Sequence, residues 1–220
     1  MSFCQMARNI QLLVNELNKI AMEKSILMCD STKGDGKAEI VMDYVMSYSL
    51  RHAVDKYLIE KPMLCRYCRY MLGVLLGIPI NDKSNVESVN VWREWQYMDL
   101  CVEAVVDKQK YALLIENKYY TGLRGNQLVD YKKKFDDYYA NKNITPEYRR
   151  YRLVSCLEDE KEIERIYGIK VSKYPEKESQ DNFLAIPFYD LLSKKYWHED
   201  KWDYEDTESD IFNEFWLRKW

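Results

Sequence analysis

Two apolar runs separated by a short polar segment constrain the fold of this chain more than any other feature. Residues 99–106 and 111–118 are rich in aliphatic and β-branched side chains, and only the polar residues 107–110 lie between them. Runs of this length with so short a connection predict two antiparallel strands. We therefore expect these residues to form a β-hairpin.

The hairpin is expected to bring charged side chains together at its open end. A two-residue loop at Lys108 and Gln109 would place Asp99 opposite Lys118. Directly opposed residues, and residues two apart on one strand, point to the same face of a sheet. Asp99, Glu116 and Lys118 would then share one face, whereas a slip of one residue in the pairing would turn the side chains of one strand to the other face.

Two carboxylates and a lysine on one face suit a particular chemistry. Neighbouring carboxylates repel each other, and their removal from water is unfavourable unless a cation lies between them. Oxygen ligands of this kind bind Mg²⁺ or Mn²⁺, and a lysine beside the metal could stabilise charge on a phosphate or orient a water molecule. The alternative is a structural ion-pair network at an exposed strand end, because such networks also cluster charges.

The order of these residues resembles the signature of the PD-(D/E)xK nuclease superfamily. That signature has an acidic residue at the start of one strand and Glu/Asp-x-Lys near the end of the next, which here are Asp99 and residues 116–118. Met98 stands where the superfamily usually has proline. Further along, Gln127 and Tyr131 resemble the Gln-x-x-x-Tyr element of RecB-like exonucleases, and their spacing places both side chains on one face of a helix.

The resemblance covers about residues 90–195. Within the superfamily, the sequence is more similar to an uncharacterised bacterial subgroup than to the general signature. It implies an α/β fold with a restriction-endonuclease-like core, in which a mixed central sheet of about four to five strands is flanked by helices. We expect one domain over residues 1–220, with a helical N-terminal part at 1–80, a catalytic core at about 86–195 and a C-terminal helix at about 209–220.

The resemblance also implies a function, which is Mg²⁺-dependent (or Mn²⁺-dependent) hydrolysis of phosphodiester bonds, with DNA as the expected nucleic acid. It assigns metal binding to Asp99, Glu116 and the Asn117 carbonyl. It assigns to Lys118 the positioning or activation of the attacking water and the stabilisation of the transition state. The first three groups are oxygen donors, the ligand type that Mg²⁺ prefers.

Residues outside the hairpin would complete this expected site. Gln127 and Tyr131 would contact the substrate from their helix. The RecB-like branch commonly adds an acidic or histidine ligand from an N-terminal helix, and Glu39 is the nearest candidate here.

Two other functions stay open on the sequence alone. A catalytically inactive protein of the same fold could serve binding or assembly in a defence or mobile-element system. The net charge of −3 mildly favours that alternative, whereas the complete acid–acid–lysine set argues against loss of activity. A hydrolase acting on a phosphate outside nucleic acid is the third hypothesis, and nothing in the sequence supports it directly.

Two basic clusters are candidates for a nucleic-acid groove. Residues 132–134 are three lysines that follow Tyr131 on the same predicted helix, and residues 148–152 interleave arginine with tyrosine just before a strand. Such a composition can hold phosphates and stack bases. The alternative for each cluster is a solvated helix or loop face, which is what charge runs usually form.

The C-terminal segment 197–220 is acidic and aromatic. It predicts either a contact with a partner protein or with a second copy in a homodimer, or a final helix that packs on the core. The helical spacing of its aromatic residues favours packing. No apolar run approaches the ~20 residues of a membrane span, and the N-terminus lacks the pattern of a signal peptide, so we expect a cytoplasmic protein without a membrane partner.

Overall fold

A computed structural model describes most of the chain between Lys37 and Arg218. The described residues are 25, 27, 37–142, 144–173, 178–193 and 205–218. The beginning of the predicted helical N-terminal part, residues 1–24, and the first part of the acidic C-terminal segment lie outside them.

The described chain alternates helices and strands. The helices are α1 (Lys37–Arg51), α2 (Tyr57–Glu60), α3 (Pro62–Leu76), α4 (Gln127–Ala140), α5 (Glu160–Tyr167) and α6 (Asp210–Phe212), which a π-helical turn continues over Asn213–Leu217. The strands are β1 (Val86–Trp95), β2 (Met98–Val106), β3 (Gln109–Lys118), β4 (Arg149–Ser155) and β5 (Leu184–Pro187). Among these described helices, none combines the length and apolarity that crossing a membrane requires.

The five strands form one mixed sheet in the order β1-β2-β3-β4-β5. The first three strands are antiparallel, and β4 and β5 continue the sheet in parallel with β3. Parallel neighbours need a crossover connection, which α4 supplies between β3 and β4 and α5 supplies between β4 and β5. The expected α/β fold with a mixed sheet of four to five strands flanked by helices is confirmed.

β3 lies at the centre of the sheet and is buried on both faces. Leu113 and Ile115 pack into the core that α1 and α3 cover. Ala112 and Leu114 point to the other face, where Phe135 of α4 covers them. Because successive side chains alternate between faces, the even-numbered residues at the end of β3 point toward α4. Glu116 and Lys118 are among them.

The hairpin forms, but its loop and its register differ from the prediction. Val106 pairs with Gln109, so Asp107 and Lys108 form the turn, with φ of 49° and 69°. Aspartate adopts positive φ more readily than most residues, which favours this turn over one at residues 108–109. The pairing of Leu100 with Ile115, continued by one residue, sets Asp99 beside Glu116 rather than beside Lys118. The two-residue shift leaves the side chains on the predicted face.

The arginine–tyrosine segment is neither a phosphate-binding loop nor a solvated face. Arg149, Arg150 and Arg152 are 6%, 7% and 0% exposed on β4. Their guanidinium groups donate hydrogen bonds to main-chain carbonyls, among them Ile144 O at 3.1 Å from Arg149 and Leu76 O at 2.6 Å from Arg150. Both interpretations of this segment are therefore wrong, because main-chain acceptors, some nearby and one at Leu76 of α3, allow arginine to lie inside the fold.

Arg150→Ala is expected to lower the free energy of unfolding by roughly 2–4 kcal/mol, because truncation leaves buried acceptors unpaired and opens a cavity. The acceptors are Leu76 O, at the last residue of α3, and Glu147 O at 2.7 Å. Urea unfolding followed by circular dichroism measures the change. Arg165→Ala is the matched control, since that side chain is 73% exposed and should contribute less than about 0.5 kcal/mol. Equal unfolding midpoints for the two variants would refute the buried role of Arg150.

The described end of the C-terminal segment packs on the core. The Ser209 hydroxyl accepts a hydrogen bond from Phe212 N at 3.3 Å and so caps the last helix. Phe212 and Phe215 are buried, and Trp216 stacks on Phe188 with 4.6 Å between ring centroids. These rings therefore stabilise the fold, as the spacing of the aromatic residues favoured, and the partner or homodimer contact has no observation in its support.

Candidate metal and active site

The open end of the hairpin gathers two carboxyl groups and a lysine. Glu116 is 1% exposed, and its Oε1 lies 2.8 Å from Lys118 Nζ. Asp99 Oδ2 accepts a hydrogen bond from Asn117 N at 2.8 Å, which fixes this carboxyl group against the end of β3. The carboxyl groups of Asp99 and Glu116 interact directly, an arrangement that a shared proton or a cation can stabilise.

The first turns of α4 close the site from above. Gln127 Nε2 donates a hydrogen bond of 2.6 Å to Glu116 Oε1 and lies 3.4 Å from the Tyr131 hydroxyl. Gln127 Oε1 accepts from Arg124 N at 3.2 Å, which orients the amide so that its nitrogen faces the carboxylate. The i, i+4 spacing puts Gln127 and Tyr131 on one helical face, as expected, and that face is turned toward Glu116.

Glu39 approaches the site from α1. Its Oε2 lies 3.9 Å from Lys118 Nζ, at the limit of an ion pair. Its Oε1 accepts hydrogen bonds from Tyr119 N at 3.0 Å and from the Thr121 hydroxyl. Glu39 therefore ties the segment after β3 to α1 and adds negative charge beside the lysine.

Asp43 places a further buried carboxyl group beside the site, and this residue was not among those predicted from the sequence. It lies one helical turn beyond Glu39, and its Oδ1 accepts a 2.7 Å hydrogen bond from Asn117 Nδ2. The spacing of four residues from Glu39 was a usable signal, because residues at i and i+4 share a helical face. The Asn117 side chain thus points to the α1 face of the sheet, away from Glu116. Only the main-chain carbonyl of Asn117 is left for the predicted metal contact.

The pKa values of the three carboxyl groups are shifted upward by a common cause. Burial, followed by the charge of Asp99, raises the pKa of Glu116 to about 8. Burial likewise raises the pKa of Asp99, against the hydrogen bond from Asn117 N. Burial and the nearby Asp99 raise the pKa of Asp43 to about 7. The metal-free site therefore holds protons that an ordinary surface carboxylate would have lost at neutral pH.

Lys118 is charged in spite of its burial. Removal from water lowers the pKa of its ammonium group, but the carboxyl groups of Glu116, Glu39 and Asp99 outweigh that effect and the net shift is upward. A buried cation held among carboxylates is a fixed positive charge at the floor of the site. It can donate hydrogen bonds to a further anionic group there.

The donor set fits a hard divalent cation. Glu116 Oε2 is buried and receives no hydrogen bond from an N–H or O–H donor of another residue. The carboxyl group of Asp99 lies beside it and is a second possible ligand. Within the described residues, no three or more His, Cys, Asp and Glu side chains are arranged to hold a metal ion. Two carboxylates would therefore need main-chain carbonyl oxygen and water to complete a coordination shell. Mg²⁺ commonly keeps several water ligands, so this set suits it.

The structure brings five of the predicted site residues into one connected group: Asp99, Glu116, Lys118, Gln127 and Tyr131. The three lysines that follow on α4 differ from one another. Lys132 forms a 2.7 Å ion pair with Asp136, while Lys133 and Lys134 are exposed to solvent. The chemical roles of all these residues stay predictions, because geometry alone does not test catalysis.

Comparison with known proteins supplies an independent finding. The family model of the PD-(D/E)XK nuclease superfamily matches residues 27–212. Neither the curated proteins nor the solved structures gave a match. The matched range includes the whole described sheet and every residue of the connected group. The chain therefore belongs to the PD-(D/E)XK nuclease superfamily.

Proposed function

We propose that this protein is a Mg²⁺-dependent nuclease that hydrolyses phosphodiester bonds in DNA. The observation that carries the proposal is the state of Glu116. Its carboxyl group is 1% exposed, has one oxygen without a donor, and lies directly against both Asp99 and the ammonium group of Lys118. A purely structural ion pair needs one carboxylate beside the lysine, whereas two buried carboxyl groups in contact repel each other and are stabilised by a bound cation.

Asp99, Glu116 and the main-chain carbonyl of Asn117 would hold the metal. When bound, Mg²⁺ supplies Lewis-acid activation of a phosphate oxygen or of water. Lys118 places a positive charge where negative charge develops on the phosphate, and its ammonium group can orient the attacking water. These roles need a lysine that is held in place, which its contact with Glu116 provides.

Gln127 and Tyr131 act from α4. The Gln127 amide holds Glu116 Oε1 by a 2.6 Å hydrogen bond and so fixes the carboxyl group beside α4. The Tyr131 hydroxyl lies at the same helical face and can donate a hydrogen bond to a phosphate oxygen. Exposed Lys133 and Lys134 on the same helix add positive charge for a polyanionic substrate.

The alternative is a protein of the same superfamily that binds or assembles in a defence or mobile-element system without cleaving. The net charge of −3 is the feature that fits this alternative. The contacts of Glu116 and Lys118 fit catalysis better, because two buried carboxyl groups in contact beside a lysine are unfavourable for folding and are explained by a bound cation. We therefore retain cleavage as the proposed function.

Cleavage of purified DNA tests the proposal. We expect the wild-type protein to degrade at least one of linear duplex, circular duplex and single-stranded DNA in Mg²⁺ or Mn²⁺, and none in EDTA. Lys118→Ala protein is the control, because it removes the buried cation while leaving both proposed carboxylate ligands. Equal degradation by the Lys118→Ala protein, or by the wild type in EDTA, would assign the activity to a contaminant.

A further inference from the structure

The turn between β1 and β2 presents an aromatic ring to solvent beside the proposed site. Trp95 pairs with Met98, so Gln96 and Tyr97 form a two-residue turn, with φ of 53° and 71°. The Tyr97 side chain is among the most exposed large apolar groups of the described residues, at 83%. Asp99 follows two residues later and enters the site.

Tyr97 occupies its turn position at a disadvantage to folding. Both central residues of such a turn have positive φ, which glycine adopts freely and residues with a Cβ adopt only under strain. Because the ring is exposed, its burial contributes little that could compensate for the strain. Lys108 has a similar φ of 69° at the same position of the other hairpin turn, so the exposed ring rather than the backbone conformation distinguishes Tyr97.

A chain of contacts connects Tyr97 to the catalytic candidates. Lys134 Nζ lies 5.7 Å from the centroid of the Tyr97 ring and 5.9 Å from that of Tyr131, both within the range of a cation–π interaction. Tyr131 in turn neighbours Gln127, which donates to Glu116. Tyr97, Tyr131 and Lys134 thus form a small surface, which we call the tyrosine ledge, at the edge of the site.

The ledge has support behind it. The Trp95 ring makes an edge contact with Tyr138 at 4.6 Å between centroids. Trp95 also packs against the core cluster that includes Phe135 of α4. The start of the turn is therefore anchored to α4, so the sheet rather than a free loop sets where the turn lies relative to the site.

We propose that the tyrosine ledge stacks an unpaired base of single-stranded DNA next to the bond to be cleaved. The inference rests on the proposed nuclease function and names its substrate class. An exposed ring face accepts any unstacked base, and a neighbouring ammonium group binds the phosphate between two nucleotides. In duplex DNA the faces of each base are covered by neighbouring bases. The Tyr97 ring therefore has no base face to stack on, and duplex binding should depend little on it.

The ring and the base are tested together by binding. The probe is a fluorescently labelled single-stranded DNA of about 12 nucleotides, and fluorescence anisotropy measures its binding. The parent protein for these measurements carries Glu116→Gln, so that the DNA is not cleaved. Adding Tyr97→Ala should weaken binding roughly 5- to 150-fold, the range measured for loss of one base–aromatic stack. A blunt duplex hairpin of the same sequence should lose less than about 2-fold.

Three controls separate stacking from general damage. Tyr97→Phe keeps the ring and should bind within about 2-fold of the parent protein. Lys108→Ala changes the corresponding second position of the other positive-φ turn, at the far end of the hairpin, and should leave binding unchanged. In a series of probes with one abasic nucleotide each, one position should weaken binding by the parent protein but not binding by the Tyr97→Ala protein.

Each outcome decides the inference. It is overturned if the parent protein does not bind the single strand, if Tyr97→Ala weakens single strand and duplex equally, or if no abasic position is sensitive. These measurements do not depend on cleavage. A wild-type protein that binds through Tyr97 but cleaves nothing in Mg²⁺ or Mn²⁺ would refute the proposed nuclease function alone. A protein that cleaves DNA in Mg²⁺ or Mn²⁺ but binds the single strand equally well with Tyr97→Ala would refute the ledge alone.

Discussion

Glu116→Gln is expected to lower the rate of Mg²⁺-dependent DNA cleavage by at least about 1000-fold. The substitution keeps the shape of the side chain and the acceptor for Gln127, which donates to Glu116 Oε1. It removes the negative charge that would hold the metal and places a second amide where Oε2 now lies without a donor. Initial rates on the DNA substrate that the wild type cleaves fastest measure the loss.

Glu103→Gln is the matched control for that experiment. Glu103 lies on β2, on the same face as Asp99, and its carboxyl group accepts a 2.9 Å hydrogen bond from the Tyr139 hydroxyl. A glutamine oxygen can accept the same bond, so cleavage should stay within about 2-fold of the wild type. If both substitutions reduced the rate equally, general damage to the sheet would explain the loss, and the assignment of Glu116 would be wrong.

Glu116→Gln should also stabilise the metal-free protein at alkaline pH. The pKa of Glu116 is raised from 4.5 to about 8 by burial and by Asp99, so the folded state binds a proton that the unfolded state has released over this range. The free energy of unfolding therefore falls as pH rises from about 5 to 8. In EDTA at pH about 9 we expect Glu116→Gln to exceed the wild type by roughly 1–3 kcal/mol, because glutamine has no charge to bury.

The pH series gives this prediction its control. Near pH 5 the folded wild type carries a protonated Glu116, so the two proteins should differ by less than about 1 kcal/mol. Urea unfolding at each pH measures the difference, with Glu103→Gln as the reference for glutamine itself. A constant difference across the series would mean that Glu116 does not titrate as its surroundings require.

Metal addition should reverse the order of stability. A ligand that binds only the folded protein raises its stability by about 2.7 kcal/mol at 100 times its dissociation constant. We expect Mg²⁺ to raise the melting temperature of the wild type and to leave Glu116→Gln almost unchanged. The residue that makes the metal-free fold less stable would then be the one that the metal stabilises, as is common for functional sites.

The sequence was sufficient for features that depend on local patterns. Two apolar runs with a short connection specified the hairpin, and i, i+4 spacing set Gln127 and Tyr131 on one helical face. The shared face of Asp99 and Glu116 was also correct, because a register error of two residues preserves the alternation of side chains. The register itself was wrong, since it depends on which residues adopt positive φ in the turn.

Other features depended on contacts between distant parts of the chain. One acceptor of the buried Arg150 is the carbonyl of Leu76 at the end of α3, which is 74 residues away in sequence. Asp43 meets Asn117 across the same separation of 74 residues. Neither the burial of a charged side chain nor the partner that satisfies it can be read from neighbouring residues.

The sequence by itself determined the hairpin, the helical face that Gln127 and Tyr131 share, and the residue types of the site, because hydrophobic periodicity and spacing are properties of short segments. Only the tertiary structure decided the environment of those residues. Burial and the proximity of Asp99 raise the pKa of Glu116, and the packing of α4 on β3 brings Gln127 to its carboxylate. Desolvation and charge coupling arise from the assembled fold, so they could not be derived before the elements were in place.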